Sequence, residues 1–385
     1  MKPYQICTRC VMDTSAADIT FDADGRCSYC SSFAVAWRRH QESKHASGSL
    51  GHLVQQIRQT ASSRKNRYDC VVGVSGGVDS SFVLAKAVEL GLRPLAVHVD
   101  NGWNSELAVS NIHNLVNTLQ VDLVTHVIDW PSVKDLQRAL FAADVVDLEM
   151  ATDNAILAIN YSIAKKHQIK YILGGTNFST EGMKCPPNWS WHKRDKKNLL
   201  NIHRRFGTRK IDYPLISSID LFIYEHFYHI KWTSLLNHLE YDKEQALNLL
   251  ESKYKYRRYA QKHFESIFTR YYQAQILPTK FRFDKRRLHY STLITTNQLS
   301  REDALHALAQ PQYRTKEEEI SDRKFVEKKL GFSSIELDDY LSRPPVSHLQ
   351  YGSETQSFSQ LFKIYKRLFG NRKGVSLEYT ATKSN

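Results

Sequence analysis

Tyr68-Asp-Cys-Val-Val-Gly-Val74 runs directly into Ser75-Gly-Gly-Val-Asp-Ser-Ser81, and Phe82-Val-Leu-Ala-Lys-Ala-Val-Glu-Leu90 follows before Gly91. The first run is short, apolar and rich in β-branched residues, the pattern of a buried strand. The last has the spacing of an amphipathic helix, with Gly91 as a natural residue just past its end. A strand that turns through glycines into a helix aims backbone N–H groups and the positive helix end at one point, where an anion binds. Gly76 and Gly77 allow the backbone to close on that anion without a Cβ in the way. Ser75, Ser80 and Ser81 add hydroxyl donors, and Asp79 sits where a carboxylate serves either the helix dipole or a bound cation.

No Gly-Lys-Ser/Thr follows the turn, so it is not a Walker A loop. Gly73-Val-Ser-Gly-Gly77 satisfies the G-x-S-x-G pattern of a hydrolase elbow, but the upstream strands and oxyanion loop which that fold requires are missing. Ser75 to Ser80 resembles the SGGxDS signature of the PP-loop ATP pyrophosphatases at every defined position.

The flanking pattern agrees. Pro94–Val99 is a predicted strand leading into Asp100-Asn-Gly-Trp103, and Asn104–Gln120 a helix with Ala108, Ile112, Leu115 and Leu119 on one face. Asp122–Ile128 and Lys170–Leu173 are further strands, with a helix over Asp153–His167 between them. Alternating strands and helices predict an α/β fold whose parallel sheet carries helices on both faces and binds ligands at its carboxyl edge. Three loops fall at that edge: 75–81, 98–104 and 174–181. In PP-loop enzymes the first holds the phosphates, the second lies near the adenosine, here with His98 and Asp100, and the third helps close the site. The resemblance therefore places Gly174, Gly175, Thr176 and Asn177 beside the nucleotide.

Upstream, Cys7-x2-Cys10 and Cys27-x2-Cys30 flank the turn Asp22-Ala-Asp-Gly25. Two CxxC turns complete a tetrahedral thiolate site, so a small zinc ribbon or knuckle is expected, with an iron–sulfur cluster as the competitor. The expected division is a four-cysteine zinc module over 1–32, a polar connector with one helix over 33–66, a PP-loop domain over 67–230 and a mainly helical region over 231–385. Of the chain's 385 residues, 42% are hydrophobic and 24% charged, which suits a globular protein of two or three domains. There is neither an apolar run of roughly 18 residues nor a secretory h-region, so a cytoplasmic protein without membrane insertion is expected.

The net charge of +13 is concentrated. Gly182–Lys210 holds nine Lys/Arg against one acid, and Lys253–Tyr290 eleven against two. Two cationic surfaces suit a polyanion: a nucleotide, a nucleotide sugar or RNA.

Several segments together resemble the N-acetyl sugar amidotransferases of bacterial surface-polysaccharide synthesis. They are Cys7-Thr-Arg-Cys-Val-Met-Asp-Thr14, Phe21 to Cys30, Val72 to Ser81, Asp129-Trp130 with Asp135-Leu-Gln137, Gly174 to Gly182, Asp284-Lys-Arg-Arg287 with His289 and Ser291, and Ser300 to Leu305. Cys185 departs from the pattern, and the tail past about Ser353 has no match.

The resemblance implies that ATP adenylates the carbonyl oxygen of an N-acetyl group on a nucleotide-activated sugar, releasing pyrophosphate. Ammonia then displaces AMP to leave an acetamidino group, in lipopolysaccharide O-antigen synthesis. It implies ATP and Mg²⁺, with Asp79 first and Asp100 and Glu181 next as the ordering carboxylates, and Lys184 and His192 as further candidates. Lys280, Arg282, Arg286 and Arg287 are expected to meet the substrate anion. None of the cysteines has a glutaminase context, so the resemblance also implies a separate glutaminase with a barrel-type ammonia-channelling partner, like the pair in imidazole-glycerol-phosphate synthesis. The rival is a PP-loop tRNA-thiolation enzyme, to which the aromatic–basic run Tyr254, Tyr256, Tyr259, Phe264, Phe268, Tyr271 and Tyr272 would offer stacking faces and Cys185 a thiol. Those aromatics also match core spacing, so no nucleic-acid partner is expected.

Overall fold

The structure is a computed structural model that describes residues 3–46, 49–259 and 265–354. Five strands form one sheet: β1 (Cys70–Gly73), β2 (Pro94–Asp100), β3 (Leu123–Val127), β4 (Tyr171–Gly174) and β5 (Lys231–Ser234). Their spatial order is β3-β2-β1-β4-β5 and every pairing is parallel. The chain winds outward from β1 through β2 to β3, then crosses back to β4 and β5. Such a reversal opens a crevice at the carboxyl ends of the central strands.

The central strands are buried on both sides because their residues alternate between two cores. Cys70 and Val72 of β1 pack with Leu84, Leu115 and Ile57 on one face. Val71, with Leu95, Val97 and Ile172, packs on the other face against Ala155 and Ile159 of the helix Met150–Lys166. The predicted strands and crossover helices are thus present, each within a few residues of its expected bounds.

Three elements depart from the sequence reading. β5 was not anticipated: Lys-Trp-Thr-Ser carries one large apolar residue and sits at a sheet edge, so it has no alternation to detect. It begins just past the boundary expected at 230. Residues 33–46 were expected as polar connector, yet Ser28–Ala46 is one continuous helix.

The four-cysteine module was expected to stand ahead of the larger domain. Instead it shares a third core with the C-terminal helices, in which Cys7, Cys10, Met12 and Phe33 join Phe141, Tyr271, Ile276 and Leu330. Arg287 lies 2.9 Å from the Asp13 carboxylate. Ser291 Oγ accepts from Val11 N at 3.2 Å, and Arg301 donates to the carbonyls of Cys7 and Cys10 at 2.9 and 3.1 Å. Among the described residues no helix is long and apolar enough to cross a membrane.

His348 ties the C-terminal end of the described chain to this assembly. It is 2% exposed, its Nε2 accepts from Asp147 N at 3.2 Å, and Nδ1 lies 2.8 Å from Asn198 Oδ1. Burial lowers its pKa from the usual 6.5 to about 4. A depressed histidine pKa gives stability that is complete above the unfolded value and is lost as the pH falls from 6.5 toward 4. Thermal melts between about pH 7 and pH 4 are expected to show a decline over that window, and His348→Gln is expected to flatten it.

Candidate active site

The loop after β1 reaches the carboxyl edge of the sheet at its point of reversal and enters the helix Val78–Glu89, whose first turn has no side-chain cap. Gly76 has φ of +85°, and a methyl there would lie 2.8 Å from Ala108 O, so only glycine fits the turn. The Gly76 carbonyl accepts hydrogen bonds from Tyr256 Oη (3.1 Å) and Tyr259 Oη (3.0 Å). With that carbonyl held from behind, the turn is fixed where it meets the cavities. Ser80 Oγ accepts from Ser75 N at 3.2 Å and locks the turn from within.

Two cavities open on either side of this loop and share Ser75, Ser80, Gly175, Thr176 and Glu265 in their walls. The first, about 510 Å³, is lined by the carboxylates Asp79, Glu181, Asp242, Glu244 and Glu265 and by the cations Lys243 and Arg258. Tyr241 Oη donates to the Asp79 carboxylate; burial first, and Asp79 second, hold that phenol in its protonated form. A chamber with acids this dense beside an open helix N-terminus suits polyphosphate bound together with a divalent cation. Asp79 and Glu181, the carboxylates expected to order Mg²⁺, are two of the five acids that line this chamber.

The second cavity, about 380 Å³, runs between the sheet edge and the helix Met150–Lys166, along Thr152, Ile156 and Asn160. His98 forms part of its wall: Asn104 Nδ2 donates to Nε2 at 3.1 Å, which leaves Nδ1–H to donate to Val74 O at 2.9 Å. Gly174 lies under the Trp232 indole, where a methyl would come within 2.5 Å of Nε1. Gly175 packs on the start of the phosphate-loop helix, where a methyl would lie 2.9 Å from Ser80 N. The two glycines of the third loop thus answer two different close approaches.

Other expected site residues are engaged elsewhere. Asp100 accepts from Gly102 N and Asn104 Nδ2 and shapes its own loop, lining neither cavity. Asn177 caps the short helix Phe178–Glu181, its Oδ1 taken by Thr180 N and Ser179 Oγ at 2.8 Å each. Ser81 is fully buried behind the loop, so it cannot touch a phosphate there. Lys184 and His192 are exposed and line neither cavity.

The cations expected to bind the substrate anion are spent inside the protein. Lys280 is 4% exposed and gives its ammonium protons to Tyr340 O, Arg343 O and Asp144. Arg286 forks onto Asp284 and donates to the carbonyls of Ala307, Leu308 and Gln310, which saturates its donors. Arg287 holds Asp13 and Val11 O. Arg282 is exposed at φ +62°, ending the π-helical segment Tyr272–Phe281, away from both cavities. From the same Asp-Lys-Arg-Arg run it is Lys285, passed over in the sequence, that lines the second cavity. Tyr241 and Glu149 carry no signal in the sequence, and Tyr256 and Tyr259, read there as stacking faces, serve the loop instead, because their partners lie far away in sequence.

The thiolation reading loses its supports. Phe268, Tyr271 and Tyr272 are core residues at 2% exposure each, and Tyr256 and Tyr259 buttress the phosphate loop. Phe264 lies outside the described residues. The Cys185 thiol lines neither cavity, and burial raises its pKa.

Cys7, Cys10, Cys27 and Cys30 are all buried, with their sulfurs within 4.8 Å of one another. The Cys7–Cys30 and Cys10–Cys27 separations are 3.7 and 3.6 Å. A tetrahedral zinc ion with bonds of about 2.3 Å requires sulfurs about 3.8 Å apart, so the cluster fits Zn²⁺. Backbone N–H groups of Cys10, Met12, Cys27 and Cys30 point at the sulfurs, as thiolate ligands require.

Two protein families match the chain. Residues 50–184 match NAD synthase, and residues 265–368 match the C-terminal domain described as LPS biosynthesis protein WbpG-like. Solved structures with similarity include an NMN synthetase from Francisella tularensis (14% identity, 57% of this chain and 88% of that chain, TM-score 0.29). Another is an NH3-dependent NAD synthetase from Campylobacter jejuni in complex with the nitrate ion (17% identity, 57% and 93%, TM-score 0.28). No curated protein matches. The fold and its phosphate loop are those of an ATP-utilising PP-loop enzyme of the NAD synthase type. The chain thus joins this PP-loop domain to a C-terminal domain similar to that of the LPS biosynthesis protein WbpG.

Gly175→Ala is expected to weaken binding of a non-hydrolysable ATP analogue by about tenfold or more, because the methyl meets backbone that cannot give way. Calorimetric titration measures this. Cys10→Ser is expected to abolish metal retention, read by elemental analysis, and to lower the melting temperature through the shared third core.

Proposed function

We propose that the chain is an AMP-forming amidotransferase that converts the N-acetyl group of a nucleotide-activated sugar into an acetamidino group during O-antigen synthesis. The observation that carries this reading is the junction of the two cavities at Ser75, Ser80, Gly175 and Thr176. With the triphosphate tail in the acid-rich chamber and the adenosine beside loop 98–104 in the second cavity, the α-phosphorus falls at that junction, where an acceptor reaches it.

The amide carbonyl oxygen attacks the α-phosphorus, and the bond to the β-phosphate oxygen breaks. The loop N–H groups and Ser75 and Ser80 hydroxyls receive the charge that develops on the departing pyrophosphate. Mg²⁺, held by Asp79 and Glu181, supplies further neutralisation when bound. The resulting O-adenylyl imidate has in AMP the leaving group an amide lacks. Ammonia adds to its carbon, AMP departs with the former carbonyl oxygen, and one proton is released as the amidinium forms.

The ammonia comes from a separate glutaminase and its barrel-type partner. The enzyme works in the cytoplasm, consistent with four cysteines kept as free thiols close enough to ligate one ion.

The test is AMP and pyrophosphate release with ammonium chloride, comparing UDP- and CMP-linked N-acetyl sugars with bulk tRNA. Sugar-dependent AMP, with a product in which NH has replaced O by mass, is the expected result. Asp79→Asn and Glu181→Gln should each cost about a hundredfold or more in turnover. AMP release that depends on tRNA overturns the reading.

A further inference from the structure

The helix Phe178–Glu181 has four residues and carries Glu181 into the wall of the acid-rich cavity. A single helical turn does not hold itself, so its orientation is set by what packs on it. Its Ser179 and Thr180 carbonyls are held from the C-terminal helices by His289, Thr296 and Gln298. The N-terminal module reaches it through an aromatic contact. Phe33 is 4% exposed, and its ring lies 5.6 Å from that of Phe178. Gly182, which ends the short helix, leaves the room: a methyl there would lie 2.4 Å from Phe178 O and 2.5 Å from Phe33 Cε2. His40, further along the helix Ser28–Ala46, sets its ring 5.1 Å from the same Phe178.

Phe33 follows Cys30 by three residues in that helix, on the same side and about 4.5 Å along the axis. Both side chains are buried in the third core. With Cys27 and Cys30 bound to one ion, the start of the helix cannot rotate, and Phe33 keeps facing Gly182. Building on the proposed role of Glu181 as a Mg²⁺ ligand, we propose that Phe33 is a positioning residue for Glu181, and that the metal held by the four cysteines fixes it. The affinity of the acid-rich cavity for nucleotide with Mg²⁺ then depends on whether the four thiolates hold their metal, although they touch no substrate. The coupling is mechanical: Cys30 sets Phe33, Phe33 sets Phe178 and Gly182, and these set Glu181 between them.

The test uses the full chain and α,β-methylene ATP, titrated calorimetrically with and without Mg²⁺. Phe33→Ala is expected to keep its zinc by elemental analysis and its affinity without Mg²⁺. It is expected to lose about tenfold of the affinity that Mg²⁺ adds. Stripping the wild type with a zinc-selective chelator should remove the same gain, and Zn²⁺ should restore it. In Phe33→Ala the stripping should add little, because the two changes act on one path. Amide exchange over 178–182, read by mass spectrometry, is expected to quicken in both cases. Should the zinc-free chain unfold, Phe33→Ala decides alone. Unchanged exchange over 178–182, or an equal loss of affinity with and without Mg²⁺, overturns the proposal. So does stripping that costs Phe33→Ala as much as the wild type. The reading of Glu181 fails separately: if Glu181→Gln keeps the whole Mg²⁺ gain while exchange still quickens in Phe33→Ala, the positioning stands and the Mg²⁺ assignment falls.

Discussion

Everything at the site depends on one constraint: the phosphate loop has to present its N–H groups outward from an uncapped helix start, while its Gly76 carbonyl is satisfied from behind. A buried or semi-buried carbonyl without a partner is costly, so the turn is stable only if something donates to it. Tyr256 and Tyr259 do so from a segment 180 and 183 residues further along. Gly175 closes on the other side of the loop, against Ser80, so that two distant parts of the chain pin the same turn. The positive end of the helix is thereby kept open toward the ligand instead of being closed by a side chain of its own.

The second of these clamps, the loop that carries Gly175, is itself held by the C-terminal region and the helix that begins in the four-cysteine module. His289 Nδ1 contacts Thr180 O at 3.1 Å, and Thr296 and Gln298 donate to Ser179 O, fixing the third loop from the C-terminal helices. Phe33 of the helix that begins in the cysteine module packs its ring 5.6 Å from Phe178 in the same loop. The four-cysteine cluster lies far from Glu181 in sequence, yet the helix that starts in it packs against the loop that carries Glu181.

Much of this was legible in the sequence wherever the signal was local. The strand–glycine–helix transition at 70–89 and the paired CxxC turns are short-range patterns whose chemistry follows from spacing. The sequence reading failed where a residue's role is set by a distant partner. Arg287 reads as a free cation until Asp13 is brought to it across the third core. Asp100 and Asn177 carry the side chains of ligands but serve as loop formers, because short polar side chains bond their own backbone as readily as a substrate. β5 stayed hidden because an edge strand of four residues has too little alternation to detect.

The third core also dictates an order of events during synthesis. Val11 meets Ser291 across 280 residues, and the carbonyl of Cys7 meets Arg301 across 294. The cysteines are made first, but the arginines and helices that clamp their loop are among the last parts to leave the ribosome. Domains generally fold as units in order of emergence, and contacts of such separation form late. The sheet is complete once β5 has emerged and the phosphate loop gains its donors with Tyr256 and Tyr259, whereas the cysteine loops gain their partners only with Ser291 and Arg301. Closure of those cysteine loops is therefore the step that completes the native enzyme.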